Sequence, residues 1–204
     1  MKRIAKVVVI ITIVLVSGFV HGQIGVKGGL GVSSLLVKNN DINFSQELFN
    51  AGFSFHVGSS FEFEFSDVIS LEPGLLLTQR AYSIDANQLI TNKLTSIEVP
   101  INVKVYALDL GDVGRLYGLG GAYLGYTFSA TEDGQKLDVG NKMTDDLKPL
   151  DIGLNFGAGV QFFDALNVDL SGSIGMANLS NIRTNAARIK TRVVRLTVTY
   201  QFGR

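Results

Sequence analysis

The chain has 204 residues, with 18 Lys plus Arg against 18 Asp plus Glu, 23 glycines, three prolines and neither cysteine nor tryptophan. That length suits one domain preceded by a targeting segment, and the even charge leaves no basic footprint for nucleic acid. The lack of cysteine excludes disulfides, thiolate metal sites and a lipoprotein anchor, which needs a cysteine at its cleavage point.

At the N-terminus Lys2, Arg3 and Lys6 precede Val7 to Val16, a run that is apolar apart from Thr12. Val20 and Gly22 are small enough for the minus-three and minus-one positions of a signal-peptidase site. The pattern predicts a signal peptide over residues 1–22, cut before Gln23, and one domain over residues 23–204. An uncleaved anchor is the alternative, but the apolar run is shorter than the ~20 residues of a spanning helix. Cleavage leaves 15 basic against 18 acidic residues, a net charge of −3.

From there the chain alternates. Residues 24–33 put Ile24, Val26, Leu30 and Val32 opposite Lys27, Gly29, Gly31 and Ser33. Residues 51–65 put Phe53, Phe55, Val57, Phe61, Phe63 and Phe65 opposite Ser54, His56, Ser60, Glu62 and Glu64. Residues 69–80 set Ile69, Leu71, Leu75 and Leu77 against Ser70, Glu72, Thr78 and Arg80, with Leu76 breaking the rule. Residues 96–105 set Ile97, Val99, Ile101, Val103 and Val105 against Ser96, Glu98, Asn102 and Lys104. Residues 115–128 read as a strand, although YGLGGAYLGYTF does not say which face is which. In LDIGLNFGAGVQF, residues 150–162, all seven even positions are apolar and no odd one is a large apolar residue. Residues 168–177 and 194–202 repeat the pattern, with Asp169 and Arg195 on their polar faces. A period of two is the mark of a strand, whose successive side chains point to opposite faces.

Eight strands result, joined by segments that alternate in length. Long polar connections are expected near residues 34–50, 82–94, 129–149 and 180–191, and short turns near 66–68, 107–114 and 163–167. That is an up-and-down meander with both termini at the short-turn end. The apolar faces of the seven readable strands carry no charge, and their aromatics gather toward strand ends, as a lipid-facing band requires. The expected fold is all-β: an eight-stranded antiparallel up-and-down transmembrane β-barrel in the outer membrane of a Gram-negative bacterium. A sheet crossing a bilayer must close on itself, because no water is there to satisfy its amides. A soluble periplasmic lipocalin-like carrier, with the apolar face inward, is the alternative reading of the same alternation.

An eight-stranded interior is just wide enough for side chains to fill. It is expected to hold a polar network of Lys27, Arg80, Lys104 and Arg195 with Glu62, Glu72, Glu98, Asp151 and Asp169, while Gly153, Gly157 and Gly159 make room for longer neighbours. Charges enclosed without partners are costly. Glu98 and Lys104 lie six residues apart on one face, about 20 Å at strand rise, so each needs partners on other strands; Glu72 and Arg80 are nearest in sequence.

Several segments together resemble the eight-stranded outer-membrane β-barrel family that includes the PorT-type proteins. IGVKGGLGVSSL is similar to its first strand, LEPGLLLTQRAY to its third, and IEVPINVKVYA to its fourth, with Glu98, Pro100 and Lys104 in a Glu-x-Pro-x-x-x-Lys pattern. DIGLNFGAGVQF and RLTVTYQF are similar to the sixth and eighth. VDLSGSIGMANL departs, offering Asp169 and serines where arginine and tyrosine are frequent, and Phe202 is not the terminal residue. The resemblance implies a barrel in the outer membrane, and for some members a link to a secretion system.

Candidate chemistry is sparse. His56 shares a face with Ser54, Ser60 and Glu62, which raises a lipid-modifying hydrolase triad as an alternative; a packed interior histidine is the competing reading. GVKGGLG at 25–31 lies inside a strand, whereas a phosphate loop opens a helix. Glu132, Asp133, Asp138, Asp145 and Asp146 do not have calcium-loop spacing. Arg183, Arg188, Lys190 and Arg192, with no acid among them, are candidates to meet lipopolysaccharide phosphates or an acidic partner. The expectation is a monomeric, non-enzymatic barrel with no cofactor and no metal. It would contact outer-membrane lipid, and other envelope or secretion proteins are possible partners.

Overall fold

The computed structural model describes residues 22–39, 44–46, 50–86, 88–142, 145–179 and 187–203. The expected signal peptide, apart from Gly22, and Arg183 lie outside them. Eight long strands form the wall: β1 (Gly22–Asn39), β2 (Asn50–Glu64), β3 (Ile69–Ala86), β4 (Gln88–Asp109), β5 (Gly114–Glu132), β6 (Leu150–Phe162), β7 (Leu166–Gly175) and β8 (Ala187–Phe202). Each pairs antiparallel with the next, and β8 returns to β1 in an unbroken register from Ile24↔Phe202 to Asn39↔Ala187. The sheet is closed, so no edge is left along this seam. Two three-residue strands, Phe44–Gln46 and Gln135–Leu137, add to β1 and β5 at the long-connection end.

Period-two alternation dictates the two sides of this wall. Leu30 stands beside Phe55 and Leu196, and Leu196 beside Leu170, in a lateral row on the outer face. Leu30 is 58% exposed and Phe156 53%, whereas Glu98 and Lys104 are each 1% exposed. Charged residues are almost never so buried unless paired. Phe63 keeps the phase of its strand, opposite Leu71, yet is buried, with its ring 4.4 Å from that of Phe61. Strand β5, unreadable from its sequence, turns Tyr117, Tyr123 and Thr127 inward and Leu116, Leu124, Tyr126 and Phe128 outward. An irregularity opposite Thr95 and Ser96 lets both Thr127 and Ala130 face inward, as a bulge does.

The connections differ from the expected lengths. Residues 82–94 form no long loop: β3 and β4 run on as a hairpin to Ala86↔Gln88. Likewise β1 continues to Asn39, β5 to Glu132, and β8 begins at Ala187. The reason is environmental. Beyond the apolar band the outer face no longer meets lipid and the inner face is no longer uniformly polar, so alternation fades while the ladder continues. Inside this extension Leu35, Tyr82, Leu94 and Ala130 form a small apolar cluster, with Leu137, Val139 and Leu147 packed against it. It lies at the long-connection end of the barrel.

Candidate functional site

The inward side chains sort into two charge clusters. Toward the short turns, Lys104 on β4 reaches Glu62 on β2 at 2.7 Å and Glu72 on β3 at 2.6 Å. Glu62 also accepts from Tyr106 at 2.7 Å, from Ser70 at 2.5 Å and from Gln201. Lys27 on β1 pairs with Glu72 two strands away. The register sets Lys27 opposite Gly58, and the missing side chain there leaves the lysine a path across β2. Below, Arg115 donates to Gln161 at 2.7 Å, and Gln161 donates to Gln201 at 3.1 Å.

Toward the long connections, Glu98 on β4 sits between two guanidinium groups, Arg80 on β3 and Arg195 on β8. Arg80 lies 3.5 Å from Asp151 on β6, which accepts from Tyr123 at 3.0 Å and Thr191 at 2.9 Å. Arg195 also donates to Ser173 at 2.8 Å, and Ser173 to Asn155 at 2.8 Å. Six strands, β3 to β8, thus meet in one connected unit. Two tyrosines lie over glycines: a Cβ at Gly153 would stand 2.4 Å from the Tyr123 ring, and one at Gly159 2.6 Å from that of Tyr117. Those glycines are required by close approach.

Between the clusters lies a cavity of about 30 Å³, lined by residues that include His56, Leu76, Asn155, Asp169 and Arg195. That is room enough for buried water. Asp169 accepts from Tyr117 at 3.5 Å. His56 is buried, and among the described residues its hydrogen-bond partner is Thr197 at 3.4 Å. The structure does not join it to Ser54, Ser60 or Glu62.

All nine expected interior charges therefore face the lumen. The basic group of the last connection is placed differently from the loop expectation: Arg188, Lys190 and Arg192 belong to β8, with Lys190 half-buried and Arg192 exposed. In the acidic connection, Asp146 accepts from the Asp138 amide at 3.0 Å and Asp145 from the Lys142 amide at 2.7 Å. Those two carboxylates hold turns, and among the described residues no cluster of metal-ligating side chains occurs. Sequence reasoning missed Tyr106, Tyr117, Tyr123 and Thr191, and it put Gln161 and Gln201 on polar faces without naming them in the network. The parity of Leu116, Leu124 and Phe128 was the available signal for the β5 tyrosines.

A family model described as outer membrane protein beta-barrel domain matches residues 22–181. No curated protein matches the chain. Among solved structures, neisserial surface protein A is 12% identical, with a TM-score of 0.54, the match covering 88% of this chain and 97% of that one. OprG from Pseudomonas aeruginosa is 12% identical over 90% of this chain and 97% of its own, with a TM-score of 0.49. The attachment invasion locus protein Ail of Yersinia pestis is 17% identical over 89% and 99%, with a TM-score of 0.44. At these identities the first likeness shows a shared fold, and the other two add no argument to it.

Proposed function

The chain belongs to the family of outer membrane protein β-barrel domains and resides in the outer membrane of a Gram-negative bacterium, and on that premise we propose that it works as a closed, non-enzymatic barrel. Its role is envelope structure, surface interaction or service as an accessory of a secretion complex, and not passage of solutes. The carrying observation is the lumen itself: Lys27, Glu62, Glu72 and Lys104 tie β1 to β4 together, and Arg80, Glu98, Asp151 and Arg195 reach across it from β3 and β4 to β6 and β8. A transport path would have to break buried pairs, each costing about 3–5 kcal/mol when one partner is removed.

Residues 1–22 serve in this reading as the export signal. Barrels of this kind keep short turns on the periplasmic side and long connections outside. The long connections and the basic residues Arg183, Arg188, Lys190 and Arg192 are then the parts offered to lipopolysaccharide or to a protein partner. The resemblance of β1, β3, β4, β6 and β8 to PorT-type strands favours the secretion-accessory role among the three. His56, bonded to Thr197 inside the wall, is held away from the lipid that an acyl-modifying enzyme would need. Purified protein in a planar bilayer is expected to carry no steady ion current. Reproducible open-channel steps would overturn the proposal.

A further inference from the structure

The outer wall is not uniform. Across β1, β8 and β7 the register aligns Val32, Val194 and Gly172, and Phe156 of β6 faces Gly172 from the other side. With no side chain at Gly172, a groove of about 570 Å³ opens among Val32, Phe156, Leu170, Ile174 and Val194, and Arg192 stands at its margin. At the same place the β7–β8 ladder makes its last pair, Ile174↔Arg192, while β8 continues to Ala187 paired with β1. The outward residues of β8 are apolar from Phe202 to Val194; Arg192 and then Lys190 follow in the same alternation.

The height of that change in character is informative. Arg192 is ten residues from Phe202, roughly 33 Å along the strand. With a tilt of about 40°, it stands some 25 Å above Phe202, close to the full height of an apolar band. Arg192 is therefore at the headgroup level on the long-connection side, with the groove directly beneath it on the hydrocarbon side. A ligand suited to both has an acyl chain for the groove and a phosphate for the guanidinium.

We propose that the β1–β8–β7 face is a binding site for one lipid A moiety of outer-leaflet lipopolysaccharide, with an acyl chain over Gly172 and a phosphate at Arg192 and Lys190. The proposal rests on the outer-membrane barrel reading and narrows its lipopolysaccharide contact to one groove and one moiety. Gly172→Leu is the direct test, because its nearest neighbours would be Phe156 ring atoms, from 2.9 Å, and not backbone. The Phe156 ring, the far end of an outward side chain, must shift to admit the new side chain, which then takes up groove space. Gly118, an outward position on β5 with nothing within 4 Å of a built Cβ, supplies the control Gly118→Leu.

Protein in phosphatidylcholine nanodiscs with a minor fraction of diphosphoryl lipid A should, on release into native mass spectrometry, retain one lipid A. Retention should fall about tenfold, a change of about 1.4 kcal/mol, in Gly172→Leu and in the Arg192→Gln, Lys190→Gln double variant. Gly118→Leu should match the unaltered chain. Equal retention by Gly172→Leu would overturn the site, and so would phosphatidylglycerol held as well as lipid A, which would mark an unselective anionic annulus. A barrel that conducted ions yet showed this pattern would refute the plug and leave the lipid site standing.

Discussion

Glu98 shows at the residue scale how this interior is held. It is 1% exposed and has Arg80 on one side and Arg195 on the other. Glu98→Gln keeps the shape and removes the charge, leaving two guanidinium groups with Asp151 beside only one of them. The expected loss is about 3 kcal/mol, read from denaturant unfolding in lipid vesicles; a change under about 0.5 kcal/mol, typical of a surface position, would mean a hydrated and loosely paired lumen. Single charged residues were legible because alternation assigns a face to each of them. The pairing was legible only as a need for partners. Which strand supplies each one depends on register around the closed wall, as in Lys27 passing Gly58 to reach Glu72, and no local pattern encodes that. Leu76 was the one apolar residue out of phase, and it lines the central cavity.

At the scale of elements, the turns carry their own chemistry. Between β6 and β7, Phe163 and Asp164 take φ of 48° and 59°, and the Ala165 amide donates to Phe162 at 3.1 Å. Two successive left-handed residues make a hairpin turn of the primed type, which favours glycine at its second central position. Asp164→Gly is expected to stabilise the barrel by up to about 1 kcal/mol, since left-handed backbone costs an ordinary residue about 1–2 kcal/mol and aspartate somewhat less. Unfolding midpoints in vesicles check this; a lowered midpoint would show that the carboxylate does more than occupy the turn. Strand positions in the apolar band were legible from period two. The hairpin over residues 82–94 was not, because above the band polarity stops distinguishing ladder from loop. The β8 residues Lys190 and Arg192 were read as loop for the same reason.

At the scale of the whole molecule, the protein is inside-out relative to a soluble domain: apolar residues face outward and ion pairs fill the middle. Closure of β8 onto β1 and the match to outer-membrane barrel domains fit together with that inversion. The same alternation that greases the outside supplies charges to the lumen. Strand β5 is the fairest place to test it, because its sequence did not decide its facing. The chain contains no tryptophan, so a single introduced indole reports without background. Tyr123 is 2% exposed and its neighbour Leu124 is 48% exposed, and the two differ in depth by about one residue rise, roughly 3.3 Å. Tyr123→Trp and Leu124→Trp should be compared in vesicles of lipid brominated on the acyl chains. Strong quenching at Leu124→Trp with little at Tyr123→Trp is the predicted result; equal quenching, or the reverse order, would contradict it.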